Sequence, residues 1–401
     1  MPTILFDDHT RFKLLPFTHT RPVADVRCGI LSMRQRWEHF IPGTSGSLSE
    51  NYLQELYPLH AGMDNLFING SIFATAALAQ ALQALPDGHK LVKDNMLIGF
   101  RTNNHIPQWD HIEKFTKLFH EQHFEGDFKY LQHVWDLFSL NGFAIAHDID
   151  LLTQDRKSAA LPKGVTVSGT GKLFIEAGAQ IHAGTIINTD GGAVYIGADA
   201  EVMEGCLLRG PIALCSHAVI KMGAKIYGAT TIGPGCKVGG ELNNVVFFAN
   251  SNKAHDGFLG NAVIGEWCNL GADTNCSNLK NNYDEVQIWN EHLNRSVKTG
   301  LTFCGLIMGD HSKCGINTMF NTGTVVGVSC NIFGHGFPNK FIPSFCWGGS
   351  DGMSTYEFEK AMETTARVMA RRNLSLSTDE INLYRYIFEN TSPQRNLFTQ
   401  A

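Results

Sequence analysis

The sequence lacks the features that would mark a membrane, secreted or nucleic-acid-binding protein. No apolar run approaches the roughly 18 to 20 residues needed to cross a bilayer. The N-terminus MPTILFDDHTRFK does not show the basic and then apolar order of a signal peptide. A formal net charge of -6 argues against the broad basic surface that sequence-independent nucleic-acid binding requires. We therefore expect a cytoplasmic protein that binds small molecules, with no membrane and no nucleic acid among its partners.

Metal-binding patterns are lacking as well. None of the 10 cysteines forms a C-x-x-C pair, and their spacings fit no zinc knuckle. The histidines near the N-terminus do not keep the H-E-x-x-H spacing of a zinc protease. We expect reduced thiols and no metal site among these residues.

The sequence does contain a six-residue repeat, and an internal period of this length is typical of a β-helix. A helix would place apolar residues at steps of three and four, and a two-sided strand would alternate strictly; neither pattern holds here. Instead, residues suited to an interior recur at every sixth position in blocks. They are Ile175, Ile181, Ile187, Ile196, Val202, Leu208, Leu214, Ile220, Ile226, Ile232, Val238, Ile264, Leu270, Cys276, Met308, Cys314, Phe320, Val326 and Ile332.

A second column of residues precedes the first by two positions, and all its members are small. In a triangular solenoid, one large side chain per rung fills the prism, and a second inward position near the corner has room only for a small one. Residues 164–336 are therefore predicted to form a left-handed parallel β-helix, with the cysteines of this column packed into corners. The column is Ala179, Thr185, Ala200, Cys206, Ala218, Ala224, Thr230, Cys236, Cys268, Thr274, Ser312, Thr318, Thr324 and Cys330.

The repeat loses its register in two places, at about residues 243–263 and 279–303. Breaks in a solenoid are usually loops that leave one side of the coil, and protruding loops tend to carry recognition chemistry. We expect both stretches to be such loops.

The flanking segments differ from the repeat. Residues 1–155 alternate strand, turn and helix patterns, which predicts an α/β domain. Residues 156–348 contain the β-helix, and residues 349–401 show a helical pattern in which Ser377 and Glu380 form a capping box. The predicted fold is thus an α/β domain, a left-handed β-helix and a short helical extension.

The segment 241–278 carries a more specific motif. A histidine stands five residues before a glycine, and I-G-x-x-x-N-[IL]-G-A-x-T and a later asparagine follow. The matching positions are His255, Gly260, Ile264, Gly265, Asn269, Leu270, Gly271, Ala272, Thr274 and Asn278. The run resembles the acetyltransferase half of the bifunctional N-acetylglucosamine-1-phosphate uridylyltransferase and glucosamine-1-phosphate N-acetyltransferase family, and of archaeal sugar-1-phosphate nucleotidylyltransferases that carry the same half.

The resemblance implies roles for several of these residues. His255 would be the general base, because imidazole, with a pKa of about 6.5, can deprotonate an amine at neutral pH. Asn269 and Asn278 would bind the substrate and orient the reacting groups. Backbone amides around Ala272 would hold the pantetheine arm of acetyl-CoA and stabilise the oxyanion.

Other residues are assigned by their place near the motif. Glu241, Lys253 and Asp256 are predicted to contact the substrate, and Asp256, directly after His255, is not part of the family pattern. The basic pair Arg371 and Arg372 is predicted to bind the cofactor through a phosphate, although such a run can also be a solvated helix face.

Two departures from the family pattern bear on the substrate. Phe258 replaces the family's aromatic hydroxyl, and Asn243 replaces a basic residue used on the sugar phosphate. A glucosamine-1-phosphate substrate therefore does not follow from the resemblance alone.

The N-terminal part resembles sugar nucleotidyltransferases in its segments 15–22 (LPFTHTRP) and 66–70 (LFING). The resemblance implies nucleotide binding by Arg11, Arg21 and Asn69. The glycine-rich phosphate loop is replaced by FDDH, however, and Ser71 stands where the family has a metal-binding aspartate. We interpret the domain as a diverged nucleotidyltransferase that needs Mg²⁺ only if it is active.

Three hypotheses follow from these resemblances. The first is an acetyl-CoA-dependent N-acyltransferase that acts on an amino sugar phosphate or a nucleotide-linked amino sugar, as a homotrimer with sites between adjacent prisms. The second is a sugar-1-phosphate nucleotidylyltransferase whose β-helix serves assembly. The third is a non-catalytic scaffold that binds sugar nucleotides.

Overall fold

A computed structural model describes residues 1–103 and 106–399. The chain divides into two compact units, the first of residues 1–26 and 31–134 and the second of residues 27–30 and 135 to the C-terminus. The domain boundaries inferred from sequence remain a prediction. In the described part of the chain, no helix is both long enough and apolar enough to span a membrane.

The first unit is an α/β domain, as predicted. Its elements are β1 (Thr3–Phe6), α1 (Met33–Phe40), β2 (Gly46–Leu48), β3 (Asp64–Asn69), α2 (Ala76–Gln83), β4 (His89–Lys93), β5 (Met96–Asn103), α3 (Ile112–Phe115) and β6 (His120–His123). The strands form one sheet in the order β2-β1-β3-β5-β4-β6, in which β1 is parallel to both β2 and β3. Every residue of β1 is buried, in agreement with the apolar run Ile4–Phe6 that follows Thr3.

The second unit begins with two helices and continues into the repeat. The helices are α4 (Asp136–Ser139) and α5 (Asn141–Thr153). The strands are β7 (Thr166–Ser168), β8 (Leu173–Ile175), β9 (Gln180–Ile181), β10 (Ile186–Asn188), β11 (Val194–Ile196), β12 (Glu201–Val202), β13 (Leu207–Arg209), β14 (Ile212–Leu214), β15 (Val219–Ile220), β16 (Lys225–Tyr227), β17 (Thr230–Ile232), β18 (Lys237–Val238), β19 (Glu241–Phe247), β20 (Asn252–Lys253), β21 (Phe258–Ile264), β22 (Asn269–Leu270), β23 (Asn275–Cys276), β24 (Gln287–Asn290), β25 (Arg295–Lys298), β26 (Ile307–Met308), β27 (Lys313–Cys314), β28 (Met319–Phe320), β29 (Val325–Val326), β30 (Asn331–Ile332), β31 (Phe341–Ile342), β32 (Cys346–Gly349) and β33 (Gly352–Thr355).

These strands stack in parallel on three faces, which confirms the predicted β-helix. The first face contains β8, β11, β14, β17, β26, β29 and β31. The second contains β9, β12, β15, β18, β20, β22, β27, β30 and β32. The third contains β7, β10, β13, β16, β23 and β28, and the longer β19 and β21 run across the third and first faces without a turn.

The two predicted columns fill the prism. The large residues form one buried cluster that runs the length of the coil, with Ile196, Leu214 and Ile232 in direct register on the first face. The small column is buried too. At the corner between the first and second faces its one serine connects neighbouring coils, because Ser312 Oγ donates to the Gly327 carbonyl oxygen at 2.7 Å and accepts from the Cys330 amide at 2.9 Å. Small residues at the corners are therefore a packing requirement, as the sequence indicated.

The prediction that residues 243–263 form a protruding loop is wrong. This stretch continues the coil, since Ile232 pairs with Phe247 and Phe247 with Ile264 on the first face. These coils are fifteen and seventeen residues long, whereas the coil from Leu214 to Ile232 has eighteen. The period of six fails here because the corners shorten.

The second predicted loop is confirmed. The coil from Ile264 to Met308 keeps β22 and β23 on the second and third faces, and residues 279–303, which follow β23, leave the prism. They carry the antiparallel hairpin of β24 and β25, closed at its base by a bridge between Leu279 and Phe303.

Three helices follow the coil: α6 (Phe358–Ala370), α7 (Thr378–Asn390) and α8 (Ser392–Thr399). The predicted capping box at the start of α7 is confirmed, because Ser377 accepts from the Glu380 amide while Glu380 accepts from the Ser377 amide. Residues 400 and 401 of the predicted helical extension lie outside the described residues.

Candidate active site

The predicted base lies on a corner of the coil. Residues 254–257, here called the His255 corner, connect β20 on the second face to β21 on the third. His255 and Asp256 are exposed at this corner. The corner of the next coil contains Ala272, whose carbonyl oxygen accepts from the Asn317 amide of the coil after it. The motif residues therefore come together by stacking rather than by closeness in sequence.

A ladder of polar side chains crosses the second face beside the His255 corner. Register pairs connect Lys237 to Asn252, Asn252 to Asn269, and Asn269 to Lys313. These residues alternate along their strands with the inward ones, so their side chains point outward. At about 4.8 Å per strand, the ladder extends roughly 14 Å.

Helix α6 covers this ladder and completes a cavity of about 710 Å³. Its helical wall comes from Thr364 and Val368 and from the arginines that follow, Arg371 and Arg372. We call this space the basic cavity. Of the predicted site residues it contains His255, Asn269, Ala272, Arg371 and Arg372.

The charge of the basic cavity is all of one sign. Lys237, Lys313, Arg371 and Arg372 line it, and no described aspartate or glutamate does. Burial, followed by repulsion from Arg372, holds the pKa of Lys237 below its usual value. Burial also lowers the pKa of Lys313 to about 8. Lys313 Nζ donates to the His311 carbonyl oxygen at 2.7 Å, and Glu201 partly offsets the lowering of the Lys237 pKa. Because no described carboxylate lines the cavity itself, its cations favour an anionic ligand such as a phosphate.

The two lysines were missed by the sequence analysis. Each occupies the outward position directly before an inward residue of the repeat, Val238 and Cys314. In a solenoid such positions are ordinarily solvated. Only the covering helix turns this stripe of the second face into the wall of a cavity.

Two predicted substrate residues lie on the other side of the His255 corner. Glu241, on the third face, is paired in register with Phe258 and accepts a hydrogen bond from the Tyr227 hydroxyl at 2.6 Å. Asn278 donates to Asn261 Oδ1 at 2.8 Å. Neither lines the basic cavity, so His255 separates two groups of polar residues.

Lys253 lies in neither group. Its side chain is fully buried inside the prism, although the sequence analysis placed it among the substrate contacts. Its neighbour in the coil before is Val238, an inward residue. A direct contact with substrate is therefore not available to it in this structure.

The first unit contains a second cavity, of about 460 Å³, beyond the carboxyl ends of β1 and β3. Ligands commonly bind at this edge of a parallel sheet. Asn69, at the end of β3, lines the cavity and donates to Asp8 Oδ2 at 2.8 Å. Its lining contains five carboxylate side chains and one lysine, Lys90, which is paired with Glu121 at 3.2 Å.

The two arginines predicted to bind nucleotide are buried in the first unit. The guanidinium of Arg11 donates to Asp7 at 2.7 Å, to Ser49 at 2.9 Å and to the Thr18 carbonyl oxygen at 2.8 Å. Because these partners take up its donors, Arg11 stabilises the segment after β1. Neither arginine lines the cavity, which leaves Asn69 as the predicted nucleotide residue that does.

The carboxylate expected after β3 for a magnesium ion is replaced by Ser71. Its hydroxyl donates to Asn69 Oδ1 at 2.8 Å. Within residues 1–103 and 106–399, no three His, Cys, Asp or Glu side chains are placed to hold a metal ion. Mg²⁺ is usually held by one or two carboxylates together with substrate phosphates, so the serine removes one anchoring group that the family pattern implies.

Comparison with known proteins gives matches to parts of the chain. Residues 3–157 match the sugar nucleotidyl transferase family. The bifunctional protein GlmU of Rippkaea orientalis is 30% identical over 132 residues, which is 32% of this chain and 27% of that protein. GlmU of Micrococcus luteus is 31% identical over 176 residues, 41% of this chain and 31% of that protein. The chain thus spans less than a third of the length of these two relatives.

Two further proteins are matched over a larger share of their own length. The uncharacterized acetyltransferase YaiX of Escherichia coli is 25% identical over 171 residues, 42% of this chain and 74% of that protein. The solved polysialic acid O-acetyltransferase OatWY is 12% identical, with 48% of this chain and 88% of that chain covered and a TM-score of 0.26. Residues 3–157 therefore match the sugar nucleotidyl transferase family, and the resemblance of the chain to bifunctional nucleotidyltransferase and acetyltransferase proteins is confirmed.

Proposed function

We propose that the second unit transfers an acyl group from acetyl-CoA to the amine of an amino sugar phosphate or a nucleotide-linked amino sugar, with His255 as the general base. The observation that carries this proposal is the position of an exposed histidine at the rim of the basic cavity. The names of GlmU and YaiX support the same class of chemistry.

In the proposed reaction the amine nitrogen attacks the thioester carbonyl carbon. A bond forms between nitrogen and the acyl carbon, and the bond between that carbon and sulfur breaks. The nitrogen gives up a proton to the imidazole of His255, and the leaving thiolate takes up a proton to become the free thiol of CoA. The imidazole suits this task because it exchanges protons near neutral pH.

The acyl donor is proposed to lie along the second face. Its phosphates would meet Lys237, Lys313, Arg371 and Arg372, and its pantetheine arm would extend toward Ala272 at the next corner. The cavity volume of about 710 Å³ lies within the range of small-molecule sites. Four cations with no facing carboxylate offer a phosphate-bearing ligand strong charge-assisted hydrogen bonds.

The amino sugar is proposed to approach from the third face. Glu241 and Asn278 are available there for hydroxyl groups, and Asp256 is exposed beside the base for the amine. This arrangement would bring donor and acceptor together at His255 from opposite sides of one corner.

We also propose a cytoplasmic homotrimer, as the resemblance implies. On the third face, Ile186 and Leu207 pair in register and are 44% and 46% exposed. Such a stacked apolar pair favours burial against another copy of the chain. Light scattering after size-exclusion chromatography tests this proposal, and a monomer would refute it.

The test of the activity uses acetyl-CoA and a panel of amino sugar phosphates, with the free thiol as the readout. We expect His255→Ala to slow thiol release by about 100-fold or more, the typical contribution of a general base. The matched control is His335→Ala, at an exposed histidine that does not line the basic cavity. Equal rates for His255→Ala and wild type would remove His255 as the base.

A second candidate, sugar nucleotidyl transfer by the first unit, is favoured by the match of residues 3–157. The negative charge of the carboxylate-rich cavity and the serine at position 71, which replaces the family's metal-binding aspartate, oppose it. Pyrophosphate release from a nucleoside triphosphate and a sugar 1-phosphate, dependent on Mg²⁺, would establish it. Ligand binding without turnover in either assay would instead favour the scaffold hypothesis.

A further inference from the structure

Lys253 breaks the apolar lining of the prism at one point. The inward residues of the second face in the preceding coils are Val202, Ile220 and Val238, each buried and each in register with the next. In the following coil the register pairs Val238 with Lys253, which is also fully buried. An ammonium group inside an apolar column is costly unless specific partners compensate it.

The partners of Lys253 are both in the His255 corner. Its Nζ donates to the carbonyl oxygen of His255 at 2.9 Å and to that of Asp256 at 3.1 Å. Burial lowers the pKa of Lys253 to about 8, and the carboxylates of Asp256 and Asp273 act in the opposite direction. Hydrogen bonds from a charged donor are roughly twice as strong as neutral ones. The ammonium of Lys253 therefore makes its hydrogen bonds to the two carbonyl groups beside the proposed base.

In the two following coils, the corners between the second and third faces satisfy a carbonyl group differently. The residue just before the third-face strand is Thr274 in the next coil and Thr318 in the one after. The hydroxyl of Thr274 donates to the Gly271 carbonyl oxygen at 2.7 Å, and that of Thr318 donates to the Gly315 carbonyl oxygen at 2.9 Å. In these corners a local threonine holds the turn.

The His255 corner has a glycine at that position and cannot use the same device. Gly257 has a φ of +112°, and a Cβ on it would lie 2.2 Å from the Thr274 carbonyl oxygen. A hydroxyl-bearing residue therefore does not fit here. The donor comes instead from Lys253, four residues earlier, through the interior of the prism.

We propose that Lys253 is the positioning residue for His255, because its ammonium fixes two carbonyl groups of the corner that presents the imidazole to the basic cavity, a corner in which no threonine hydroxyl can restrain the turn. The proposal rests on the proposed function for its catalytic consequence. The fixing of the corner can be measured without any activity.

The first measurement is hydrogen exchange by mass spectrometry on Lys253→Met. Methionine has a similar length and suits an apolar column, so replacing the buried cation is expected to leave Tm unchanged or higher. The amides of residues 254–258 are expected to exchange at least 10-fold faster than in wild type, while those of residues 270–276 keep their rates. Lys172→Met, at an exposed ion pair with Asp150, is the matched control and should change neither segment.

The second measurement separates kcat from donor binding. We expect Lys253→Met to lower kcat at least 10-fold, since small misplacements of a catalytic group are costly, while the Kd for CoA changes less than twofold. A variant that merely loosened the coil would lose Tm and CoA affinity together, and that result would overturn the proposal.

A third comparison covers poor folding of the first variant. If Lys253→Met does not accumulate as folded protein, hydrogen exchange is measured on Lys253→Gln, which keeps a neutral donor. This variant should show faster exchange that is confined to residues 254–258. Wild-type exchange in a folded variant would overturn the proposal. If wild type shows no acyl transfer, the proposed function fails, and the exchange result still decides the role of Lys253.

Discussion

The buried thiols of the coil predict a loss of stability at alkaline pH. Nine cysteines have pKa values raised by burial, and those of Cys236, Cys304 and Cys330 are each raised to about 12. In the unfolded chain a thiol ionises at a pKa of about 8.5. Their stabilising contribution is therefore complete below pH 8.5 and is lost as the pH rises toward 12, because only the unfolded state gains charge.

The size of the effect follows from the pKa difference. Between pH 8.5 and 10 each such thiol costs about 2 kcal/mol, since one pKa unit is worth about 1.4 kcal/mol. Lys253 and Lys313 act in the opposite sense, because their folded pKa values of about 8 lie below the unfolded value of about 10.4. Each lysine contributes about 2 to 3 kcal/mol of stability between pH 8 and 10, so together they offset about two or three thiols with a folded pKa of about 12. Burial also raises the pKa of the other six thiols. The net change is a loss.

Equilibrium urea denaturation at pH 7.5 and pH 10, with a reductant present, measures this loss. The matched variant is Cys236→Ala, because Ala218 occupies the same corner position one coil earlier. We expect the fall in the free energy of unfolding between the two pH values to shrink by about 2 kcal/mol in the variant. A free energy of unfolding that is equal or higher at pH 10 in wild type would refute the reasoning, as would an unchanged fall in Cys236→Ala.

Three further outcomes are expected. Replacing Arg371 or Arg372 by Gln should raise the KM for acetyl-CoA about 10-fold with kcat unchanged, because the variant loses roughly one charge-assisted hydrogen bond. A fall in kcat alone in steady-state assays would contradict this role. Leu270→Ala should cost about 2 to 5 kcal/mol in urea denaturation by emptying the prism, whereas Leu293→Ala, 49% exposed in the hairpin of β24 and β25, should stay within about 0.5 kcal/mol. Similar losses in the two variants would count against the inward assignment of Leu270. Ser377→Ala should cost about 1 kcal/mol by removing a helix cap, which thermal melts followed by circular dichroism would detect as a lower Tm, and an unchanged Tm would contradict it.

The fold of the coil could be predicted because its interior imposes a period on the sequence. Each rung has to place one large residue inside the prism, as Ile196 and Leu214 do, and a small one at the corner, as Ala200 and Ala218 do. The period is therefore a direct record of packing. It fails where coils shorten to fifteen and seventeen residues, because a fixed step of six cannot follow a corner that loses residues.

The site was predictable only in part. The motif identified His255, Asn269 and Ala272, and the structure gathers them with Arg371 and Arg372 around the basic cavity. The same residue types do not reveal which outward positions are solvated and which are covered by a helix. The roles of these residues remain a proposal, and their common location is the structural finding.

Lys253 shows why composition alone misassigns a residue near a motif. A lysine two positions before the predicted base suggests contact with a charged substrate. The strand period decides otherwise, because Lys253 shares its inward position with Val238 and its outward neighbour is Asn252. Because side chains alternate along a strand, the position of Lys253 next to the outward Asn252 predicts that its ammonium lies inside the prism.

The proposed base occupies a part of the coil where successive corners approach closely. A Cβ on Gly240 would lie 2.8 Å from the Gly257 carbonyl oxygen, and a Cβ on Gly257 would lie 2.2 Å from that of Thr274. Such contacts require glycine, and glycine removes the side chains that elsewhere hold the corner. A tight corner of this kind would expose its backbone to local opening. An ammonium supplied from the interior resolves the conflict, since it restrains the corner without adding bulk on the outer surface where donor and acceptor are proposed to meet.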